Sequence, residues 1–263
     1  MSRLITRLFG KTPDPPESTT TDGRLVYAIG DIHGRLDVLQ PLVLELARDY
    51  ARTAPAERPI LVFLGDYVDR GPSSAGVIDL ILRLADEELF EVRALKGNHE
   101  EAFLTFLDDP AFGETWMGHG GAQTLSSYGI LTPSRNEPEA WIAARDALVE
   151  AMPPRHAEFL VKLDLMTTVG DYAFVHAGVR PGAPLDRQTA HDLMWIRYEF
   201  LDSAGPFEKV IVHGHTPSEA PQVTPWRLGI DTGAYATGIL TAVRLDDLGA
   251  RMIQARARRP AAA

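Results

Sequence analysis

Two carboxylates and a guanidinium follow directly on an apolar run of the sequence, Leu61–Leu64. Gly65 ends this run. Asp66, Asp69 and Arg70 come within the next five residues. An uncharged apolar run that stops at a glycine predicts a buried strand ending in a turn. A carboxylate at the carboxyl end of such a strand lies where open α/β sheets bind ligands.

Four further apolar runs end in the same way, in a small residue or directly in side chains that bind metals or move protons. Because the carboxyl ends of parallel strands meet at one edge of a sheet, these side chains would collect on one rim. The set comprises Asp31, His33, Asp66, Asn98, His99, His176 and His215. We interpret it as one site rather than as a series of unrelated turns.

The composition limits the chemistry that this site can perform. The 263 residues include no cysteine, which excludes thiolate zinc sites, disulfides and a cysteine nucleophile. Any metal must therefore be held by His, Asp, Glu or Asn. The formal net charge of -10, without a long basic run in the predicted folded part, argues against nucleic acid as a partner.

The two ends of the sequence differ from the rest. Residues 1–11 combine basic and apolar side chains, and could at most make a weak peripheral membrane contact; residues 12–23 are rich in Pro, Thr and Asp. We predict flexible tails at residues 1–23 and 255–263 and a single domain at residues 24–254. No apolar run approaches the roughly 20 residues that cross a bilayer, and no signal-peptide core is present, so the predicted compartment is the cytoplasm.

From Arg24 the sequence repeats strand, glycine turn and helix three times, which predicts βαβ units with parallel strands. Ser73 or Ser74 is the predicted cap of the second helix. The rhythm is lost at residues 108–154, the cap insertion, which we expect to form helices and a substrate wall. Short strands dominate afterwards. The predicted fold is α/β (α+β), with two mixed sheets packed face to face and flanked by helices.

The spacing of the site residues favours a pair of metal ions. An Asp-x-His pair at a strand end, such as Asp31 and His33, places both side chains on the same side of the chain. Asp66 on the neighbouring strand could bridge this ion to a second one. The second ion would be held further by Asn98, His176 and His215. Such oxygen and imidazole ligands suit manganese, iron or zinc, and ion pairs about 3.5–4 Å apart recur in phosphoester hydrolysis.

Five motifs, taken together and in this order, resemble a known family. They are Gly30-Asp-Ile-His-Gly34, Gly65-Asp-Tyr-Val-Asp-Arg-Gly71, Gly97-Asn-His-Glu100, His176-Ala-Gly178 and Gly214-His-Thr-Pro217. They look like the signature of the phosphoprotein phosphatase branch of the calcineurin-like metallophosphoesterases, over roughly residues 24–245. Within this branch the chain is most similar to the short bacterial and phage serine/threonine phosphatases. The resemblance implies a β-sandwich flanked by helices.

The resemblance also implies roles for the site residues. Asp31 and His33 would hold the first ion with Asp66, and Asp66, Asn98, His176 and His215 would hold the second. The two divalent ions are predicted to be manganese, with iron or zinc as alternatives, and a water between them would attack phosphorus in line. The implied catalytic side chains are His99, Asp69, Arg70 and Arg197.

His99 would protonate the leaving alkoxide, while Asp69 would orient it and keep it protonated. Arg70 would grip the phosphate oxygens. Arg197 belongs to a Trp-x-Arg segment whose arginine faces the phosphate in bacterial members. The predicted substrate is a phosphorylated protein or peptide, dephosphorylated at serine or threonine.

Two alternatives remain open. Symmetrical diadenosine tetraphosphate hydrolases resemble the chain, but they typically lack the acidic residue before the arginine and have Asp after the Asn-His pair. Asp69 and Glu100 therefore favour the protein phosphatase. The second alternative is a metal-binding scaffold without turnover, which we would expect to have lost a metal ligand or His99.

Among the other histidines, His213 lies two residues before His215 and is expected to lie next to this ligand without binding the metal itself. His119, in a glycine-rich loop, could touch substrate or lie on the surface. His156 and His191 are expected to be ordinary structural histidines.

Overall fold

The computed structural model of the chain describes residues 19–134 and 137–257. The basic segment predicted at residues 1–11 lies outside the described residues, as do residues 258–263 of the predicted C-terminal tail.

The strands form two mixed five-stranded sheets. The first has the order β10-β9-β1-β2-β3, in which β1, β2 and β3 are parallel; the second has the order β4-β5-β6-β8-β7. The strands are β1 Val26–Ile29, β2 Ile60–Phe63, β3 Glu91–Ala94, β4 Met166–Val169, β5 Tyr172–Val175, β6 Val210–His213, β7 Gln222–Val223, β8 Arg227–Gly229, β9 Ile239–Asp246 and β10 Gly249–Arg256.

Helices connect and flank these strands. They are α1 Leu36–Thr53, α2 Ser74–Asp86, α3 Asn98–Asp108, α4 Gly113–Gly118, α5 Gly121–Ser127, α6 Pro138–Ala151, α7 Pro154–Val161, α8 Ala190–Trp195, α9 Tyr198–Leu201 and α10 Ala234–Thr237. Single 3-10 turns lie at Pro110–Phe112 and Leu185–Arg187.

The sheets pack face to face through alternate side chains of their strands. Val62 of β2 and Val243 of β9 meet Phe174 of β5 and Val212 of β6 in one buried cluster. The opposite face of the first sheet carries Tyr27 and Phe63, which pack against the apolar sides of the helices. Strands β1 and β2 are thus buried on both faces, which explains why they read as uninterrupted apolar runs. The predicted fold class is confirmed.

Residues 19–23, the described part of the flexible tail predicted at residues 1–23, are joined to the sheets by hydrogen bonds. Thr19 Oγ1 lies 2.6 Å from the Tyr172 hydroxyl, and the Thr21 backbone N–H donates to Asp247 at 2.8 Å. These bonds tie the segment to both sheets, because Tyr172 belongs to β5 and Asp247 to the turn between β9 and β10. The content of Pro, Thr and Asp predicted a flexible linker, but threonine side chains also form hydrogen bonds that fix a segment in place.

The C-terminal end of the domain also differs from the predicted one. Residues Ala255 and Arg256 were expected in a flexible tail, but β10 continues to Arg256 and pairs there with Ile239 of β9. The arginines of this edge strand have the composition of a basic tail. Its pairing depends on the partner strand β9, which the local composition does not reveal.

The described part of the cap insertion is mostly helical, and α4, α5 and α6 pack near α2 and α3. Ser73 is the N-cap residue of α2, as predicted, but its side chain makes no capping hydrogen bond. The Ser74 hydroxyl instead lies 3.0 Å from Thr124 Oγ1 of α5, so it joins the cap insertion to the strand-end loop.

Candidate metal and phosphate-binding site

The strand-end loops hold several site residues in left-handed backbone conformations. Positive φ angles occur at His33 (47°), Asp66 (53°), Asp69 (70°), Arg70 (65°) and His215 (65°). Each such non-glycine residue costs energy and persists only where its surroundings fix it. Half of the ten predicted site residues are therefore held in strained turns by their hydrogen bonds.

Glu100 provides much of that fixation. Its buried carboxylate accepts hydrogen bonds from the backbone N–H groups of Asp66 (2.8 Å), Tyr67 (2.8 Å) and Gly97 (2.9 Å). Burial raises the pKa of Glu100 to about 7, against the lowering effect of these N–H groups. Glu100 therefore shapes the loop after β2, and it does not act as a substrate-contacting residue.

One group of ligand atoms surrounds Asn98. Asn98 Oδ1 lies 2.9 Å from His176 Nε2 and 2.8 Å from His215 Nδ1, and Asp66 Oδ1 lies 3.4 Å from His176 Nε2. The other His176 nitrogen, Nδ1, faces the Leu64 carbonyl at 2.9 Å. A carbonyl can only accept, so we assign the proton to Nδ1. Three lone pairs, from His176, Asn98 and Asp66, then converge without a proton between them.

A second group lies on the other side of Asp66. Asp66 Oδ2 is 3.4 Å from His33 Nε2 and 3.9 Å from His99 Nε2. In the described residues, two His/Asp groups have ligand atoms within 4.8 Å of one another: His33, Asp66 and His99, and Asp66, His176 and His215. Asp66 belongs to both, as expected of a bridging ligand.

Asp31 was predicted as a ligand with His33, but it lies outside both of these groups. Its carboxylate accepts the His215 backbone N–H at 3.0 Å, and burial, followed by the charge of Asp231, raises its pKa well above the usual value. His99, predicted only as an acid, belongs to the group around His33, and the metal-binding role of Asp31 stays a prediction. The Asp31 side chain nonetheless packs against the segment that carries His215, since a Cβ at Gly214 would collide with its Oδ1.

Burial sets the charge states of the site. It lowers the pKa of His33 well below its usual value and that of His176 to about 3, so both imidazoles are neutral and able to bind a metal. Burial raises the pKa of Asp66 well above its usual value, and the charge of Glu100 adds to this effect. Buried carboxylates beside neutral imidazoles need a cation to offset their desolvation. The donor set thus fits divalent metal ions.

Asp69 and His99 form a buried pair. His99 Nδ1 lies 2.7 Å from Asp69 Oδ2, and Arg70 Nη2 lies 3.1 Å from His99 Nε2. A guanidinium can only donate, so Nε2 accepts and Nδ1 carries the proton that it donates to Asp69. Burial, followed by the Arg70 charge, lowers the pKa of His99 to about 3. His99 is therefore neutral here, whereas the sequence-based interpretation had Asp69 keep it protonated.

The cap insertion holds Asp69 in place. Trp116 Nε1 of α4 donates to Asp69 Oδ2 at 3.0 Å, and Thr124 Oγ1 of α5 donates to Asp69 Oδ1 at 2.7 Å. The Gly120 carbonyl accepts the Arg70 N–H at 3.1 Å. Burial raises the pKa of Asp69 to about 7, and these two side-chain donors oppose the rise. The cap insertion is thus part of the site's framework.

The two predicted arginines flank the centre. Arg70 Nη1 also lies 3.1 Å from His33 Nε2, and its guanidinium carbon lies 4.5 Å from the centre of the Tyr235 ring. Arg197 is exposed, and its charge lowers the pKa of His99, His176 and His215. The structure thus brings all ten predicted site residues to one edge of the sandwich.

The other histidines divide as follows. His213 is buried against Phe200, with ring centres 5.0 Å apart, and burial lowers its pKa to about 4. His119 lies 5.8 Å from His99, ring centre to ring centre, at the edge of the site. His156 is buried and bonds Tyr128 and Asp79, and His191 is exposed and stacks on Trp195, as ordinary structural residues do.

Sequence reasoning missed four residues of the site. Asp231 follows the apolar end of β8, so the same strand-then-acid pattern could have found it. Burial raises the pKa of Asp231 to about 6. Trp116 and Thr124 lie in the cap insertion, where no strand pattern points to them. Tyr235 lies on the short helix α10 and gave no signal of its own.

A two-sheet sandwich that presents His and Asp ligands in two groups sharing one carboxylate defines a binuclear metallohydrolase. Residues 25–238 match the family model of the calcineurin-like phosphoesterases, and the chain belongs to this family. It is therefore a hydrolytic metallophosphoesterase, and family membership implies a dinuclear divalent metal centre. The resemblance found in the sequence is confirmed at the level of this superfamily.

Curated relatives carry a more particular name. A bis(5'-nucleosyl)-tetraphosphatase PrpE [asymmetrical] from Geobacillus thermodenitrificans is 28% identical over 237 residues, covering 84% of this chain and 90% of the relative. The corresponding protein of Bacillus thuringiensis is 29% identical over 241 residues, with the same coverage.

A solved structure supports the fold at lower identity. A protein serine/threonine phosphatase from Saccharomyces cerevisiae has a TM-score of 0.54 and 16% identity, covering 91% of this chain and 82% of that one. At this identity the likeness concerns the fold alone.

Across the described ranges, no helix combines the length and apolar character needed to span a membrane.

Proposed function

We propose that the chain hydrolyses dinucleoside tetraphosphates asymmetrically, into products of unequal phosphate length. The relatives named for this activity match 84% of the chain at 28–29% identity. The observation that carries the phosphoryl chemistry is the convergence of unprotonated ligand atoms on both sides of Asp66, with Arg70 beside them. A polyphosphate chain suits a site with arginines on two flanks.

His33 and Asp66 would hold one ion, and Asp66 with Asn98, His176 and His215 would hold the other, so that Asp66 is common to both and His99 Nε2 stays free of metal. When bound, the ions supply a Lewis acid and a nucleophilic water at neutral pH. Arg70 and Arg197 bind and orient the phosphate oxygens. The negative charge of a bound phosphate raises the pKa of His99, so that His99 Nε2 can hold a proton for the leaving oxygen, while Asp69 fixes the ring through Nδ1.

A serine/threonine protein phosphatase is the second candidate, and one observation favours it. The buried Asp69–His99 pair is most useful when the leaving group is an alkoxide, because an alkoxide needs a proton more than a phosphate does. In the sequence, Glu100 had also favoured the protein phosphatase. Its carboxylate binds backbone N–H groups, so it does not help to choose between the two activities. The substrate would be a phosphorylated protein or peptide.

Manganese as the resident metal, with iron or zinc as alternatives, remains a prediction from ligand chemistry. The cytoplasmic location and the lack of a nucleic-acid partner are likewise predictions from composition.

The decisive experiment compares turnover of the manganese-loaded protein on diadenosine tetraphosphate and on a phosphothreonine peptide. We expect faster cleavage of the dinucleotide, with a nucleoside triphosphate and a monophosphate as products. Two diphosphates would indicate the symmetrical reaction, and faster release from the peptide would establish the protein phosphatase. Asp66→Asn and His33→Ala should abolish turnover in every case, whereas Asp86→Asn on an exposed helix end is the control. Metal binding without turnover would support the scaffold alternative.

A further inference from the structure

A groove of about 630 Å³ opens beside Arg70. Its walls come from the turns after β1 and β2, from the start of α1 and from α10. Gly34, Arg35, Gln40, Arg70, Ser73 and Tyr235 are among its lining residues. Because Arg70 belongs both to this groove and to the candidate metal and phosphate-binding site, a ligand whose phosphate lies at the centre can extend into the groove.

Tyr235 is presented to this groove by a rigidly built segment. The Asp231 carboxylate accepts the Gly233 N–H at 2.8 Å, and Thr237 Oγ1 donates to the Thr232 carbonyl at 2.8 Å. Arg35 Nη1 donates to the Ala234 carbonyl at 2.6 Å. Hydrogen bonds from both sides thus fix the backbone that carries the ring.

The Tyr235 ring links the phosphate-binding arginine to the groove. The Arg70 guanidinium lies 4.5 Å from its centre, and the His33 ring meets it edge-on at 5.3 Å. The side chain is nonetheless 39% exposed. An aromatic residue that is fixed in place and still open to solvent is a platform for another planar group.

The charges in the groove favour an uncharged planar group over further phosphates. The Arg35 guanidinium is paired with Asp37 through two hydrogen bonds of 2.8 Å. Gln40 is exposed and Ser73 is half-buried, and the Ser73 hydroxyl does not cap its helix. Both side chains can therefore serve the polar edges of a base or a ribose.

We propose that this groove is a nucleoside subsite, in which the base of a nucleotide stacks against Tyr235 while Arg70 holds its phosphate. The inference rests on the proposed function and identifies where one nucleoside half of the substrate lies. It assigns to Tyr235 a role in substrate selection, by affinity for a planar base.

The test measures how much the base contributes to binding. Dissociation constants of adenosine monophosphate and of ribose 5-phosphate are compared by calorimetry on the metal-loaded wild-type protein, Tyr235→Leu and Tyr235→Trp. Their ratio is the quantity of interest, because any effect of Tyr235 on phosphate binding through Arg70 cancels in it. Stacking predicts that Tyr235→Leu lowers the base preference roughly 5- to 50-fold, and that Tyr235→Trp keeps it.

Tyr198→Leu is the matched control, since Tyr198 is an exposed tyrosine that does not line the groove. A wild-type protein without base preference would overturn the proposal. So would equal loss of affinity for both ligands in Tyr235→Leu, which would mean that Tyr235 acts only through Arg70.

The ratio needs no turnover of a nucleotide, so the subsite and the proposed function fail separately. A base preference that depends on Tyr235 supports the subsite even if diadenosine tetraphosphate is not cleaved. Cleavage of diadenosine tetraphosphate with a ratio that Tyr235→Leu leaves unchanged would uphold the function and overturn the subsite.

Discussion

Arg70 and Arg197 face the same centre from two flanks, but they are held very differently. Arg70 sits in a strained turn, with its guanidinium against His33, His99 and Tyr235. Arg197 is exposed between α8 and α9, and no hydrogen bond or ion pair holds its guanidinium within residues 19–134 and 137–257. One flank is thus preset for phosphate, whereas the other is free to adjust to what the phosphate is attached to.

The same contrast extends to the supports behind each arginine. Behind Arg70, Trp116 and Thr124 of the cap insertion and Glu100 of α3 fasten the loop after β2. Behind Arg197, a hydrogen bond of 2.6 Å from Trp195 Nε1 to Glu101 Oε2 ties the segment to α3. Preorganised groups contribute most where charge develops in the reaction, so the Arg70 flank should matter more for chemistry.

The largest effect is expected at the Asp69–His99 pair on the preset flank. His99→Asn should slow hydrolysis of an alkyl phosphate roughly 10²- to 10⁴-fold and that of an aryl phosphate much less, because an aryl leaving group needs little protonation. Steady-state kinetics on the two substrates measures this difference. Equal slowing of both would remove His99 from the acid role.

The metal content of the His99→Asn variant decides between two roles for His99, general acid or metal ligand. If His99 acts only as an acid, dialysed His99→Asn should keep the metal stoichiometry of the wild-type protein. A loss of one ion would show that His99 is a ligand beside His33, as their arrangement around Asp66 allows. Asp69→Asn is the companion variant, since it disturbs the imidazole without removing it.

An intermediate effect should separate the two arginines directly. Arg70→Lys removes a guanidinium whose geometry is fixed, and should weaken inhibition by inorganic phosphate roughly 10- to 100-fold, or about 1.5–3 kcal/mol. Arg197→Lys keeps a cation at the exposed flank and should weaken inhibition by inorganic phosphate less than about 10-fold. Equal losses would show that the difference in support has no functional consequence.

The smallest effect concerns stability on the Arg197 flank. Asp192 of α8 accepts hydrogen bonds from Arg180 and Thr189, and the Arg180 bond lowers its pKa below the usual value. Because the folded-state pKa lies below the unfolded value of about 3.9, the pair stabilises the fold above that pH. This contribution is lost as the pH falls through the folded-state pKa.

Asp192→Asn should therefore cost about 1 kcal/mol at pH 7, discounted because Arg180 is half exposed, and the cost should shrink below about pH 4. Urea unfolding at the two pH values measures it. Asp186→Asn is the control, because this side chain is 81% exposed and should change the free energy of unfolding little at either pH. A cost that is independent of pH would refute the role of the Arg180 bond.

The sequence predicted those site residues whose position depends on where a strand ends. Apolar runs buried on both faces, each ending in a ligand-type residue, located Asp66, His176 and His215 because strand direction fixes where such residues meet. It could not predict the supports of Asp69, since Trp116 and Thr124 approach from helices whose packing depends on the whole cap insertion. Nor could it show that Glu100 binds backbone amides, because residue type alone does not reveal what a buried carboxylate accepts.

Thr19 to Thr21 bind at the amino ends of the strands, whereas the metal and phosphate-binding residues lie at the opposite, carboxyl ends. A surface anchor or fluorescent reporter joined ahead of Thr19 would therefore start from the far side of the sandwich. An immobilised form of the protein should keep its reactive edge open to bulky substrates, which makes this end the preferred point of attachment for single-molecule or biosensor work.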